Sequence, residues 1–233
     1  MTSRERIATA DRPPALPVLA PPLPPIAAAA RSRRKRAFDL GASLVGLFVL
    51  FPVLGLVAVA IMIDDPGPPF FRQARLGLGG RSFRLLKFRS MRVGASDLRG
   101  ADGASVTMSG DPRVTRIGGW LRRTSTDELP QLWNVVRGEM SLVGPRPDQA
   151  DQLALYAEGE HLKLAVRPGL TGAAQVLGRN ARSWRDRKRL DRWYVRRWSH
   201  ALDARLLCLT IGVLVRPQGI ETHAELPPSH HPT

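Results

Sequence analysis

The hydrophobic and polar positions of this chain fall into one long apolar run followed by short segments of changing period. Residues 40–63 carry no charged side chain, and at roughly 1.5 Å per residue a helix of that length could cross a bilayer's hydrocarbon core. Basic residues stand on both sides: Arg31, Arg33, Arg34, Lys35 and Arg36 before it, and Arg72, Arg75, Arg81, Arg84, Lys87, Arg89 and Arg92 after it. The positive-inside rule asks for both ends to be cytoplasmic, which a single straight crossing cannot satisfy. Pro52, near the middle of the run, removes a backbone donor and clashes with the preceding turn. The pattern therefore predicts a re-entrant membrane helix over residues 37–63, a hairpin of two half-helices breaking at Pro52. An ordinary spanning helix with a tolerated proline is the alternative.

After this run, Asp64-Asp65-Pro66-Gly67-Pro68-Pro69 is a dense turn signal that starts a new domain. Gly77, Gly79 and Gly80 lie between short apolar and basic stretches, which predicts a hairpin or loop followed by a strand over residues 82–88. The Gly-x-Gly-Gly group fits neither phosphate-loop signature and is better read as a turn. Residues 94–112, rich in Gly, Ser and Asp, predict a surface loop. From Val114 the period turns helical, with Ile117, Trp120 and Leu121 on one face. A second helix is expected to start near Ser125-Thr126, run through Leu129, Leu132, Trp133 and Val136, and stop at Gly138. Residues 147–163 predict another helix. Residues 183–200 interleave Trp184, Trp193, Tyr194 and Trp198 with Arg and Lys side chains. Beside the apolar stretch 206–215 they read as a membrane-surface helix rather than a single-strand nucleic-acid platform.

The expected fold is thus α+β and mainly helical: the re-entrant hairpin plus one cytosolic-face catalytic domain with amphipathic interfacial helices. Residues 1–36 form a Pro- and Ala-rich basic tail, 37–63 the membrane helix, 64–220 the catalytic domain and 221–233 a C-terminal tail.

Composition narrows the partners. The formal charge of +15 and pI near 11.5 imply anions: lipid headgroups, phosphorylated substrates or nucleic acid. No zinc, helix-turn-helix or RNA-recognition signature is present, so no nucleic acid is expected. Cys208 is the sole cysteine, which excludes an intramolecular disulfide, and its apolar neighbours suggest buried filler. His161, His200, His223, His230 and His231 show no metal-ligand spacing.

Chemistry concentrates at Asp127-Glu128, just after Arg122 and Arg123. An ionised Asp is a nucleophile that needs no base, and its natural target beside arginines is a phosphoryl group. The second carboxylate could hold Mg²⁺, which would neutralise charge as the bond forms. Ser125-x-x-Glu128 is also a capping box, which would explain both residues without catalysis.

The surrounding motifs decide between these. Lys35-Arg36-Ala37-Phe38-Asp39, Asp65-Pro66-Gly67-Pro68, Phe71-Arg72-Gln73, Lys87-Phe88-Arg89-Ser90-Met91, Asp127-Glu128-Leu129-Pro130-Gln131, Met140-Ser141-Leu142-Val143-Gly144-Pro145-Arg146-Pro147 and Arg167-Pro168-Gly169-Leu170-Thr171-Gly172 occur in the order found in the bacterial sugar transferase family. From about residue 33 to 220 the chain resembles its small monotopic polyprenyl-phosphate glycosyl-1-phosphate transferases.

That resemblance implies an enzyme of the bacterial cytoplasmic membrane, facing the cytoplasm. It would move a sugar 1-phosphate from a UDP-sugar to polyprenyl (undecaprenyl) phosphate, release UMP, and begin a lipid-linked glycan of exopolysaccharide or O-antigen type. It also implies a covalent phosphosugar on Asp127, Mg²⁺ at Glu128, and phosphate or substrate contacts from Arg122 and Arg146, the latter flanked by Pro145 and Pro147. Lys87 and Arg89 are further candidates. Spacing alone would allow Asp127 and Glu128 to exchange roles. The family's helix break is a Ser-Pro pair where this chain has Phe51-Pro52, so a serine hydroxyl that could satisfy freed backbone groups is missing. Membrane lipids are expected partners, and a homodimer remains open. The competing reading is a non-enzymatic basic scaffold on the membrane surface, or a nucleic-acid-binding protein, in which Ser125-Glu128 only caps a helix.

Overall fold

The computed structural model describes residues 30–98, 107–108, 110–177 and 184–215. Most of the expected tail at 1–36, the whole tail at 221–233 and much of the 94–112 loop lie outside these residues, and where the 1–36 tail is described, its last residues from Arg33 are already helical. The chain is mostly helical with two small sheets, an α+β arrangement.

Helix α1, Arg33–Asp64, begins at Ser32, whose side chain accepts from Lys35 N at 3.3 Å, and its helical span continues through Pro52. It is the only helix among the described residues long and apolar enough to cross a membrane. One stripe is buried against the rest of the protein through Lys35, Asp39, Ser43, Val57 and Ile61. The opposite face leaves Phe48, Val49, Phe51, Leu56 and Ile63 exposed.

Of the hairpin and the loop that the sequence allows, the hairpin forms, and the strand over residues 82–88 is present. Strand β1, Phe70–Leu76, pairs antiparallel with β2, Ser82–Phe88, in a register that sets Phe71 opposite Lys87 and Arg75 opposite Phe83. The turn between them needs Gly79 at φ 66°, a conformation that side-chain-bearing residues disfavour. Helix α2, Arg116–Thr124, is capped by Thr115, which accepts from Gly118 N at 2.9 Å, and α3, Gln131–Arg137, stops at Gly138 (φ 81°).

Two of the sequence motifs are strands packed backbone to backbone. Strand β3, Ser141–Val143, pairs in parallel with β4, Gly169–Thr171. A Cβ at Gly169 would lie 2.1 Å from Gly144 N, and one at Gly172 would lie 2.0 Å from Gly144 O. Glycine is therefore required by close approach. Helices α4, Ala173–Leu177, α5, Trp184–Arg197, and α6, His200–Val215, complete the fold. The main core gathers Leu85, Leu132, Val135, Met140, Val143, Val166, Tyr194, Val195 and Leu206, with Leu47 and Leu50 of α1 packed against it.

Several expectations are corrected. Residues 147–163 do not form an α-helix; 3₁₀ turns at Ala150–Leu155 and Glu160–Ala165 flank Gly159, which is left-handed at φ 76°. Tertiary bonds outweigh the local period there: Tyr156 Oη donates to Asp148 at 2.6 Å, and Lys163 reaches Asp148 at 2.9 Å and Asp191 at 2.8 Å. Helix α5 does not turn all its aromatics outward: Tyr194, and Trp198 just past its end, are buried in the core while Trp193 is exposed. Cys208 is exposed rather than buried.

Gly172→Ala is expected to cost about 3 kcal/mol or more, since the backbone of Gly144, just after β3, cannot yield to the added methyl. Thermal unfolding of the detergent-solubilised protein would measure it, and an unchanged midpoint would mean that the two loops are not in this contact.

Candidate active site

The dyad sits on a turn rather than at a helix start. Between α2 and α3 the chain makes a 3₁₀ turn, Thr126–Glu128, entered through Ser125 at φ 56° and ψ 18°. Ser125 is the sole non-glycine with positive φ among the described residues, and its side chain makes no capping bond to the turn. The capping-box explanation of Ser125 and Glu128 is thereby removed. Such conformations cost about 1–3 kcal/mol and persist where surrounding structure enforces them.

The elements around this turn deliver cations to it. Lys87, near the end of β2, stands with its ammonium 5.5 Å from the Phe71 ring centroid. Arg122, in the last turn of α2, donates to Thr107 Oγ1 at 2.8 Å. Arg146 follows β3 and donates to Glu128 Oε1 at 2.9 Å. The flanking prolines are buried and hold that loop: Pro145 O accepts from Gly169 N at 2.9 Å, and Pro147 O accepts from Arg75 at 3.1 Å.

Asp127 is buried, at 8% exposure. Its carboxylate accepts no hydrogen bond from any described residue. Burial first, and the Glu128 charge second, push its carboxyl up to about 6, against the pull of Lys87, Arg122 and Arg146. Even so, most of it is ionised at neutral pH. Burial would raise Glu128 too, but the Arg146 guanidinium outweighs this and holds it below the usual carboxylate range. Burial lowers Lys87 while both carboxylates oppose the drop, and it lowers Arg122 with Asp127 opposing.

Of the residues singled out from the sequence, Asp127, Glu128, Lys87, Arg122 and Arg146 come together. Arg89 does not join them: it is 6% exposed and bonds Asp65 through both the carboxylate and the backbone carbonyl, tying β2 to the end of α1. Arg75 was singled out by no motif, yet it is a Coulombic neighbour of Glu128, Lys87 and Arg146. Strand alternation was the signal for it, because the register puts Arg75 and Lys87 on one face of the hairpin.

Compared with known proteins, residues 30–217 match the sequence profile described as bacterial sugar transferase. The chain belongs to the bacterial sugar transferase family. It is 50% identical over 188 residues to an undecaprenyl-phosphate glucose phosphotransferase of Komagataeibacter xylinus, covering 76% of this chain and 35% of that protein. It is 42% identical over 196 residues to a UDP-galactose-lipid carrier transferase of Erwinia amylovora, covering 79% of this chain and 41% of that one. The chain therefore spans well under half the length of these two relatives. An exopolysaccharide production protein PSS of Rhizobium leguminosarum bv. phaseoli is 44% identical over 197 residues, covering 79% of this chain and 97% of its own length. The bacterial sugar transferase match takes in every element from α1 to α6, so the membrane-length helix and the dyad belong to one family unit.

The two arginines of the motifs should separate experimentally. Arg89→Ala leaves Asp65 without its buried partner and is expected to lower the thermal midpoint by about 10 °C. Arg146→Ala, at an exposed position, is expected to leave the midpoint nearly unchanged and to weaken binding of inorganic diphosphate, used as an anionic probe of the dyad, at least about tenfold. Equal effects in both assays would contradict the division of roles.

Proposed function

We propose that the protein is a phosphotransferase that passes a sugar 1-phosphate from a UDP-sugar to undecaprenyl phosphate, in two steps through Asp127. The observation that carries this is the Asp127 carboxylate, buried, free of hydrogen bonds from described residues, and surrounded by Lys87, Arg122 and Arg146. A carboxylate serving the fold would be bonded, as Asp39, Asp65 and Asp203 are.

In the first step an Asp127 oxygen attacks the phosphorus that carries the sugar. The bond from that phosphorus to the bridging oxygen breaks, and the oxygen keeps the electron pair as part of UMP. In the second step a phosphate oxygen of the polyprenyl acceptor attacks the same phosphorus. The bond to Asp127 breaks, its carboxylate is regenerated, and the product is a polyprenyl diphosphosugar. Lys87, Arg122 and Arg146 balance the negative charge of the diphosphate and of the transition state.

Among the described residues no three His, Cys, Asp or Glu side chains gather into a metal site. Mg²⁺, however, is commonly held by one or two carboxylates together with substrate phosphates and water. Glu128 has one oxygen on Arg146 and the other uncommitted, and Asp127 lies beside it, so the pair fits such an ion. When bound it would offset phosphate charge. The names of the relatives, an undecaprenyl-phosphate glucose phosphotransferase and an exopolysaccharide production protein, support a lipid-linked product for this chain as well.

For α1 we favour entry and exit on one membrane face, with the catalytic domain cytoplasmic. The support is that one polar domain holds both ends. At the start, Lys35 pairs with Asp203 at 2.9 Å and Arg36 donates to the carbonyl of Val136 at 2.8 Å. At the finish, Asp64 accepts from Ile117 N at 2.9 Å, and Val57 and Ile61 pack on Phe88 and Leu121. Exposed Trp120 and Trp133 flank the dyad turn in sequence, as interfacial side chains would.

Intact-protein mass spectrometry with UDP-sugars, Mg²⁺ and no acceptor tests the chemistry. A sugar-phosphate adduct is expected on the wild type and not on Asp127→Asn, forming faster as pH is raised through about 6, and lost on full chelation. Absence of any adduct, with no UMP released after undecaprenyl phosphate is added, would overturn the reading. For the topology, a cysteine placed after Ile63 in a Cys208→Ser background should resist impermeant thiol labelling in intact cells; labelling from outside would mean that α1 crosses.

A further inference from the structure

Among the described residues the fully buried cations are all paired with carboxylates, whereas Arg75, partly buried beside the dyad, is not. Lys35 pairs with Asp39 and Asp203, Arg89 with Asp65, Lys163 with Asp148 and Asp191, and Lys188 with Glu160. Each of these fully buried charges thus has a carboxylate, as desolvation requires, while the partly buried Arg36 and Arg167 bond backbone carbonyls. Arg75 has none. Its Nη1 donates to Pro147 O at 3.1 Å and its Nη2 to Gln73 Oε1 at 2.6 Å, both uncharged acceptors, while its buried Nε has no partner among the described residues. A guanidinium beside the dyad, with neutral acceptors on its Nη atoms and a buried Nε left unpartnered, is arranged for an anion that arrives with a ligand.

Its place within the site says which one. Arg122 counts Asp127 among its Coulombic neighbours, and Asp127 counts Arg122, Lys87 and Arg146. Arg75 instead neighbours Glu128, Arg146 and Asp148. The strand register puts Arg75 on the hairpin face that carries Lys87, and its bond to Pro147 O puts it beside the loop whose Arg146 bonds Glu128, while Arg122 comes from α2. In an in-line displacement the leaving oxygen departs opposite the attacking one. We infer that Arg75 binds the phosphate that leaves with the nucleoside, and stabilises the charge that develops there as the diphosphate bond breaks. The inference rests on the phosphotransfer proposed above. In that step the bridging oxygen keeps the electron pair, so the departing nucleoside monophosphate gains one negative charge and no proton is transferred. Arg75 contributes its charge and the hydrogen bonds of its planar fork, and gives up no proton. Burial, and then the Arg146 charge, bring it down to about 10, which leaves it fully cationic at neutral pH. Its bond to Pro147 O also fixes the loop that carries Arg146.

The test compares UMP with uridine as calorimetric probes on the full chain in detergent, alongside the two half-reactions. Arg75→Gln is expected to weaken UMP at least tenfold with uridine unchanged, and to slow adduct formation from UDP-sugar about a hundredfold. Transfer from preformed adduct to undecaprenyl phosphate should proceed at the wild-type rate, because the leaving phosphate is already gone. Arg75→Lys, which keeps the charge and loses the planar fork, should weaken UMP several-fold and serves if the glutamine variant does not fold. Unchanged UMP affinity in the folded variants would overturn the role, as would equal loss of UMP and uridine, which would mark a support for the Pro147 loop only. A wild type that forms no adduct and releases no UMP would overturn the phosphotransfer reading itself, whereas active wild type with unaffected variants overturns Arg75 alone.

Discussion

The membrane-length helix is joined to the rest of the protein by a buried ion network, on which the position of everything downstream depends. Lys35 reaches Asp39 at 3.1 Å and Asp203 at 2.9 Å. Asp39 accepts from Ser141 Oγ at 2.7 Å and Leu142 N at 3.3 Å, while Asp203 accepts from Tyr194 Oη at 2.7 Å and Trp198 Nε1 at 3.1 Å. Segments far apart in sequence, α1, β3, α5 and α6, therefore share two carboxylates. Buried pairs of this kind seldom add much stability over an apolar core, but losing one partner is costly because the rest stay buried. The network's contribution is best understood as positional: it accepts only one placement of α1 against β3.

From β3 that placement passes to the dyad within a few residues. The strand ends at Val143, Gly144 lies against the backbone of Gly169 and Gly172, and Pro145 O is bonded to Gly169 N. Arg146 thus leaves a backbone with little freedom and meets Glu128. On the other side, Ser125 turns left-handed and brings Asp127 under Lys87 and Arg122. Glu128 has its partner while Asp127 has none, and this asymmetry between adjacent carboxylates supports the proposed division of roles more directly than the dipeptide itself does.

Periodicity made the hairpin legible, since the strand over residues 82–88 and its glycine turn need only local information. The stop of α3 at Gly138 was legible for the same reason. The two 3₁₀ turns between Ala150 and Ala165 were not, because Lys163 and Tyr156 answer to Asp148 and Asp191, whose proximity is a property of the fold. At the site, the ordered motifs located Asp127, Glu128, Lys87, Arg122 and Arg146. They could not tell Arg89, which closes on Asp65, from an arginine that stays beside the dyad, for both kinds occur within the same run of motifs. Arg75 was hidden for the opposite reason: its neighbourhood arises from strand register and the Pro147 carbonyl, neither of which a one-dimensional motif expresses.

The proposed reaction must bring a water-soluble diphosphate to a phosphate that cannot leave the bilayer surface, and the arrangement of apolar surface bears on how. The exposed face of α1 presents Phe48, Phe51 and Leu56, while Trp120 and Trp133 stand on the helices that enclose the dyad turn. If these surfaces share the membrane boundary, the dyad lies at headgroup depth, where a lipid phosphate reaches it without extraction. The excess of cations over carboxylates then acts twice. It draws the anionic donor from the cytoplasm, and through attraction worth about 1 kcal/mol per well-placed Lys or Arg it concentrates the acceptor at the surface. A single reactive carboxylate can serve both substrates in turn because neither has to move past the other.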